Sequence, residues 1–174
     1  MRGHLAKIFG LIAALLLAFM AVGFWLPGTW SAEASIEVPA APEAVFPLLV
    51  DLARWDEWTQ WGDVESTLSD QSSGSGAVRS WDDDQYGSGS VTITESRPSE
   101  LVRYRVRIGE GIEVIGELKL ETSAAGSLVT WREEGDFGHN PLMGYVARSM
   151  SDSQGRQLSE SLGRLKEAVG ASGG

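Results

Sequence analysis

The chain contains no cysteine, only two histidines, and far fewer basic than acidic residues. Without cysteine there are no disulfides, no Cys-ligated zinc and no thiol chemistry. An oxidising compartment stays open all the same, because a core of this size needs no covalent staples. His4 precedes the long apolar run, so a histidine metal site or a Ser-His-Asp arrangement would rest on His139 alone, and His139 reads as a loop residue. Fourteen bases against 24 acids give a net charge of −10, a poor match to nucleic acid, whose binding rests on neutralising phosphates. No glycine loop cradles a phosphate, since Gly87-Ser88-Gly89 leads into a strand and not into a helix N-terminus. Asp82-Asp83-Asp84 lacks the spaced ligands of a calcium loop and reads as a hydrated hairpin tip. The expectation is therefore a chain with no metal, no cofactor and no nucleic-acid partner.

What is present begins with one uncharged apolar run of 19 residues, Ile8 to Leu26, preceded by Arg2, His4 and Lys7. About 20 apolar residues cross the hydrocarbon core, so the run is long enough to span a bilayer. A cleaved signal peptide is the alternative, and Ala32-Glu33-Ala34 offers an A-x-A site. Signal-peptide cores are shorter, roughly 7–15 residues, and this site lies well beyond the run, which favours an uncleaved anchor. Trp25 and Trp30 bracket the exit, where aromatic rings suit the membrane interface. All 24 acids follow the run, against 12 of the 14 bases, so the part beyond it carries −12. The positive flank points to a cytoplasmic N-terminus, with the domain on the extracytoplasmic side and close to the bilayer.

The chain divides into residues 1–30 (cytoplasmic tip, transmembrane anchor and short linker), a single domain at 31–170, and a disordered tail at 171–174. Ile36 and Val38 alternate with Ser35 and Glu37, the period of a strand with one buried face, and Pro39 ends it. Val45, Leu48, Leu49 and Leu52 form one apolar stripe of a short helix, and Trp55, Trp58 and Trp61 follow at intervals of three. Strands are expected near 64–69, 76–83, 88–97, 100–108, 112–122 and 127–136, separated by Gly, Ser and Pro. No connection is long enough for a crossover helix, so the sheet is antiparallel. Asn140-Pro141 reads as an N-cap with proline at the first helical position. Leu158, Leu162, Leu165 and Val169 then mark one face of a final helix. Between Ser149 and Gln157 only Met150 is apolar, and Gly155 sits inside, so this stretch is either exposed or lines a roomy space.

Keeping apolar residues on one face registers the hairpins. With Gly109-Glu110-Gly111 as the loop, Val106 faces Val114, Tyr104 faces Gly116 and Val102 faces Leu118. Arg107 and Arg103 then fall opposite Glu113 and Glu117, an outer ladder and not an anion site. The next hairpin pairs Leu120 with Val129, Leu118 with Trp131 and Gly116 with Glu133. Tyr104 and Glu133 thus flank one glycine on the apolar face, where the missing side chain lets the hydroxyl lean toward the carboxylate. A carboxylate there is costly unless paired or protonated, so the pair is either a satisfied structural contact or a working one.

These residues resemble a known family. I-E-V-x-A-x-P-E-x-V-F, D-L-x-R-W-x-x-W-x-x-W, I-T-E-x-x-P at 93–98, V-T-W at 129–131 and G-D-x-G-x-N-P-L at 135–142 are similar to the polyketide cyclase/dehydrase group of the START-like superfamily, also called SRPBCC or Bet v 1-like. The resemblance runs from about Ser31 to Val169, and many relatives also begin with a single anchor. It implies an α+β helix-grip fold: a seven-stranded antiparallel sheet wrapped around a long C-terminal helix, with two short helices after the first strand, here preceded by one transmembrane helix. In many members the space between sheet and helix holds an apolar ligand. Members include cyclases, lipid and sterol carriers and quinone-binding proteins, with no universal catalytic set, so no catalytic residue carries over. Three positions depart from the pattern: Pro47 inside the first helix, and Glu133 and His139 where apolar or small residues are usual.

The leading expectation is a membrane-anchored binder of a hydrophobic small molecule, such as a lipid, a quinone or a polyketide-like compound. Trp58, Trp81, Tyr104, Val114, Gly116, Trp131, Glu133 and Met150 would shape its site, with Trp58 at the rim and Trp55 and Trp61 as packing. A second is a cyclase/dehydrase-like enzyme with Glu133 as base and Tyr104 as its hydrogen-bonding partner. A third is a non-catalytic interaction module of a membrane complex, with a collapsed cavity.

Overall fold

The computed structural model describes residues 2–61, 64–84, 87–109, 111–138 and 141–172. Helix α1 (Arg2–Trp25) leads directly into strand β1 (Thr29–Val38). After β1 come helix α2 (Pro42–Val50), a 3-10 helix (Leu52–Glu57) and six more strands: β2 (Ser66–Leu68), β3 (Val78–Asp83), β4 (Gly87–Arg97), β5 (Leu101–Ile108), β6 (Ile112–Ser123) and β7 (Gly126–Asp136). Helix α3 (Met143–Ser172) closes the chain. The sheet order is β1-β7-β6-β5-β4-β3-β2, antiparallel throughout, with α3 lying along its concave face chiefly against β1. This is the helix-grip α+β fold. Between Lys7 and Trp25, α1 is long and apolar enough to cross a membrane, with a mean hydropathy of 2.5.

Local sequence accounts for the elements. Pro42 occupies the first turn of α2, where its missing N–H costs nothing. Pro47 lies on the exposed side of this nine-residue helix, where water can satisfy the carbonyl its missing N–H leaves open, and the helix still starts at Pro42. Val45, Leu48, Leu49 and Leu52 are fully buried as the stripe requires. The indole N–H of Trp55 donates to the Leu49 carbonyl at 3.0 Å, and that of Trp58 to the Leu48 carbonyl at 3.1 Å. Those carbonyls belong to the last turn of α2, where no helical partner remains, so the two tryptophans cap it.

The hairpin registers match the apolar pattern at every expected pair, including Tyr104 with Gly116 and Gly116 with Glu133. Arg103 bonds Glu117 at 2.7 Å and Glu95 at 2.9 Å on the outer face. Arg79 breaks the pattern: it is buried, paired with Asp56 at 2.5 Å, and bonded to Ser66 and to the Leu52 carbonyl. It ties the 3-10 helix to the sheet. Pro141 lies in a turn and α3 starts at Met143, two residues later than the proline suggests. The expected cap Asn140 lies outside the described residues, as do Glu110 of the loop and His139. At the other end α3 reaches Ser172, while the last two residues are outside the description.

Three glycines sit directly across from an aromatic residue on a neighbouring strand: Gly89 from Trp81, Gly116 from Tyr104 and Gly135 from Trp30. At Gly116 a methyl group would collide with the Tyr104 ring, which lies flat over the strand. Gly116→Ala should therefore lower stability by roughly 1–3 kcal/mol, the usual cost of overpacking. Urea unfolding checks this; an unchanged midpoint would show that Tyr104 moves aside freely.

Candidate functional site

A cavity of about 260 Å³ opens between the concave face of the sheet and the middle of α3. Its apolar walls are Trp61, Val64, Trp81, Ile108, Trp131 and Leu158, and its polar groups are Thr59, Gln60, Glu133, Gln154, Gln157 and Ser161. Trp81 and Ile108 stand near the ends of β3 and β5, in line with Gly89 and Ile112. Those strand ends share one end of the sheet with Thr29 and Asp136, the end where α1 joins β1. A larger open depression of about 650 Å³ involves Glu113, Arg132, Glu134 and Asp136. Its charged lining suits water better than an apolar ligand.

A chain of hydrogen bonds runs behind the cavity wall. The Trp131 indole N–H donates to the Tyr104 hydroxyl at 2.7 Å, and that hydroxyl donates to Glu133 Oε1. From the opposite layer, Gln154 Nε2 donates to Glu133 Oε2 at 2.6 Å. One carboxyl group thus receives a donor from the sheet on one oxygen and a donor from α3 on the other. Aromatic edges brace the arrangement: Trp55 meets Tyr104 at 5.0 Å between ring centroids, and Trp58 meets Trp131 at 5.2 Å. Arg164 of α3 reaches the Trp58 carbonyl at 3.1 Å and fixes the tryptophan turn against the helix.

Burial pushes the Glu133 carboxyl above its ordinary range, and the donors from Tyr104 and Gln154 pull it only part of the way back. The Tyr104 phenol is driven well above its ordinary value by its own burial and then by the Glu133 charge beside it. Tyr104 is consequently a permanent donor and not a base. Glu133 is the group that can change state: protonated, it carries an O–H donor on the cavity wall; ionised, it is a buried charge held by two donors.

Of the residues expected from the sequence, Trp81, Trp131 and Glu133 line the cavity. Tyr104 lies behind the wall and Gly116 beneath its ring. Val114 and Met150 pack elsewhere in the core. Trp58 is not at the rim: it is fully buried, because its indole N–H must reach the end of α2, and the half-buried Trp61 takes the wall position, its ring tilted against Trp81 at 4.8 Å between centroids. The α3 contribution is Gln154, Gln157, Leu158 and Ser161, spaced 0, +3, +4 and +7 and so on one helix face. Gln154 and Gln157 belong to the polar stretch that the sequence left open as exposed or cavity-lining; the loop residues Thr59, Gln60 and Val64 carried no such signal. Among the described residues no group of His, Asp and Glu could hold a metal ion.

Because the folded-state pKa of Glu133 lies above the unfolded one, the native state binds more protons and stability falls as pH rises through that interval. Glu133→Gln removes the titrating group while Gln154 can turn its amide to present oxygen. The variant should match the wild type in acid, gain on it as pH rises through that interval, and keep a constant advantage above it, in urea unfolding at several pH values. A difference independent of pH would contradict the buried, titrating carboxyl. Tyr104→Phe leaves a Glu133 oxygen and the Trp131 N–H without a partner, and should cost about 1–3 kcal/mol by the same measurement.

Residues 29–170 match the family model described as "Polyketide cyclase / dehydrase and lipid transport". No curated protein matches the sequence. Among solved structures, a Staphylococcus aureus protein of unknown function superposes with a TM-score of 0.64 at 11% identity, covering 83% of this chain and 95% of that one. The di-domain ARO/CYC StfQ of the steffimycin biosynthetic pathway gives 0.63 at 11% identity over 83% of this chain and 52% of its own. A Chromobacterium violaceum protein, CV1439, gives 0.54 at 17% identity over 80% and 96%. At these identities the likeness establishes the fold alone, whereas the family model covers most of the sequence: the chain belongs to the polyketide cyclase / dehydrase and lipid transport family.

Proposed function

We propose that this protein is a membrane-anchored binder of a small hydrophobic molecule, held in the cavity between the sheet and α3. The observation that carries the reading is the cavity's lining: three tryptophans, an isoleucine, a valine and a leucine, with a few polar groups and one buried carboxyl among them. A mostly apolar concavity with a few convergent polar groups is the usual form of a small-molecule site. Its volume limits the occupant. About 260 Å³ exceeds the roughly 150 Å³ of a cavity that takes benzene, and falls just below the roughly 300–1,000 Å³ of drug-sized sites. A one- or two-ring compound fits, such as a quinone head or a compact polyketide-like ring, with any tail left outside; a whole sterol or diacyl lipid does not. Protonated Glu133 would donate to a ring carbonyl, and the tryptophan faces would stack on the ring.

The apolar α1 supports anchoring, and the basic residues ahead of it support a cytoplasmic N-terminus with the domain on the other side. An anchored domain would take its ligand directly from the lipid phase. The enzymatic reading keeps one specific support, the raised pKa of a carboxyl on a cavity wall. Against it, both carboxyl oxygens already accept hydrogen bonds, which weakens Glu133 as a base.

The probe for the binding reading is 2-methyl-1,4-naphthoquinone added to the full chain in detergent. Quenching of tryptophan fluorescence should saturate, because Trp61, Trp81 and Trp131 line the cavity. Ser161→Leu, which fills the α3 side of the cavity without touching Glu133, should remove the saturable component. Quenching that is linear in quinone, or equal in both proteins, would contradict a ring-sized site there.

A further inference from the structure

The contact between α1 and α3 has a consequence for where the domain sits. The Tyr145 ring stacks on Phe19 with centroids 4.4 Å apart and planes 5° apart, and its hydroxyl donates to the Phe19 carbonyl at 2.9 Å. Alongside, the Pro141 backbone lies against Gly23 and the Leu26 backbone against Gly144, approaches so close that neither glycine could carry a side chain. The start of α3 is therefore clamped to the last two turns of α1. Phe19 lies six residues before Trp25, about 9 Å along the axis at the helical rise. The 19-residue span from Lys7 to Trp25 is itself roughly 28 Å long, close to the hydrocarbon thickness. The Tyr145 ring, packed on Phe19, consequently reaches below the end of that span, while Pro141 and Gly144 sit beside Gly23 and Leu26 at its end.

Resting on the anchor reading above, we propose that the first turn of α3 is a second, shallow membrane contact, inserted into the hydrocarbon boundary beside the anchor. Leu142, just before the helix, and Val146, in its first turn, are 52% and 42% exposed. They are apolar where a soluble surface would be polar, and the clamp holds this turn beside Gly23 and Leu26, at the end of the span and so at the hydrocarbon boundary. The Tyr145 hydroxyl, which would be costly in lipid, is satisfied by the Phe19 carbonyl. One turn further on, Arg148 and Ser149 are exposed and polar, and Arg148 makes no ion pair among the described residues. Arg148 lies three residues past Tyr145, about 4.5 Å farther along the helix from the clamp, where a cation can meet lipid phosphate. The insertion fixes the domain on the bilayer and turns the sheet end that carries Trp81 and Ile108 of the cavity toward the lipid.

The absence of cysteine makes the test direct. Nitroxide labels are placed at Leu15→Cys, Leu142→Cys, Val146→Cys and Ala124→Cys in the full chain, reconstituted in phosphatidylcholine/phosphatidylglycerol nanodiscs, and their collision rates with oxygen and with an aqueous nickel chelate are compared. Ala124 is exposed in the turn at the opposite end of the sheet. Labels at 142 and 146 should favour oxygen over nickel several-fold more than the label at 124, in the manner of the label at 15. If 142 and 146 behave as 124 does while 15 is shielded, the inserted turn is overturned and the anchor stands. If 15 is also open to nickel, the anchor reading fails and the inserted turn with it.

Discussion

Glu133 accepts one hydrogen bond from the sheet, through Tyr104, and one from α3, through Gln154. Those two contacts join the layers at the point where apolar packing is thinnest, between Ser149 and Gln157 of the helix. A carboxyl without them would be too costly to bury, and a leucine in its place would let the helix settle onto the sheet. The cavity exists because the layers are held by polar groups of fixed length there, while Leu158, Leu162, Leu165 and Val169 pack tightly farther along α3. The same group gives the cavity its one titrating function.

The network depends in turn on a missing side chain. Gly116 lets the Tyr104 ring lie across its neighbour strand, which brings the hydroxyl to Glu133 and the Trp131 N–H to the hydroxyl. Trp55 and Trp58 hold this cluster from the side, and their indole N–H groups are committed to the end of α2. The tryptophan-rich turn is thus a brace with one free member, Trp61, whose face is left for the cavity. Arg79 and Arg164 fasten that brace to the sheet and to α3.

Much of this was legible before any coordinates. The registers around Gly116 followed from keeping apolar residues inward, and they alone predicted that Tyr104 and Glu133 would meet. The three evenly spaced tryptophans were legible as a cluster but not by role, since which ring is buried depends on where the α2 carbonyls point. Trp58 and Trp61 accordingly exchanged their expected places. Gln154 was hidden in a stretch that was readable as either exposed or cavity-lining, and both descriptions apply to different residues of it. Arg79 was unreadable because its partner Asp56 lies in the 3-10 helix, outside the sheet and on no pattern shared with β3. The clamp between Tyr145 and Phe19 joins residues 126 positions apart, which no local pattern reveals.

Native mass spectrometry of the full chain, isolated gently without added ligand, tests the central claim most directly. The account predicts a bound apolar molecule of ring-bearing type, retained by the wild type and lost from a chain whose cavity is filled. A chain that consistently emerges bare, across mild isolation conditions, would contradict it and favour a domain that acts without a ligand.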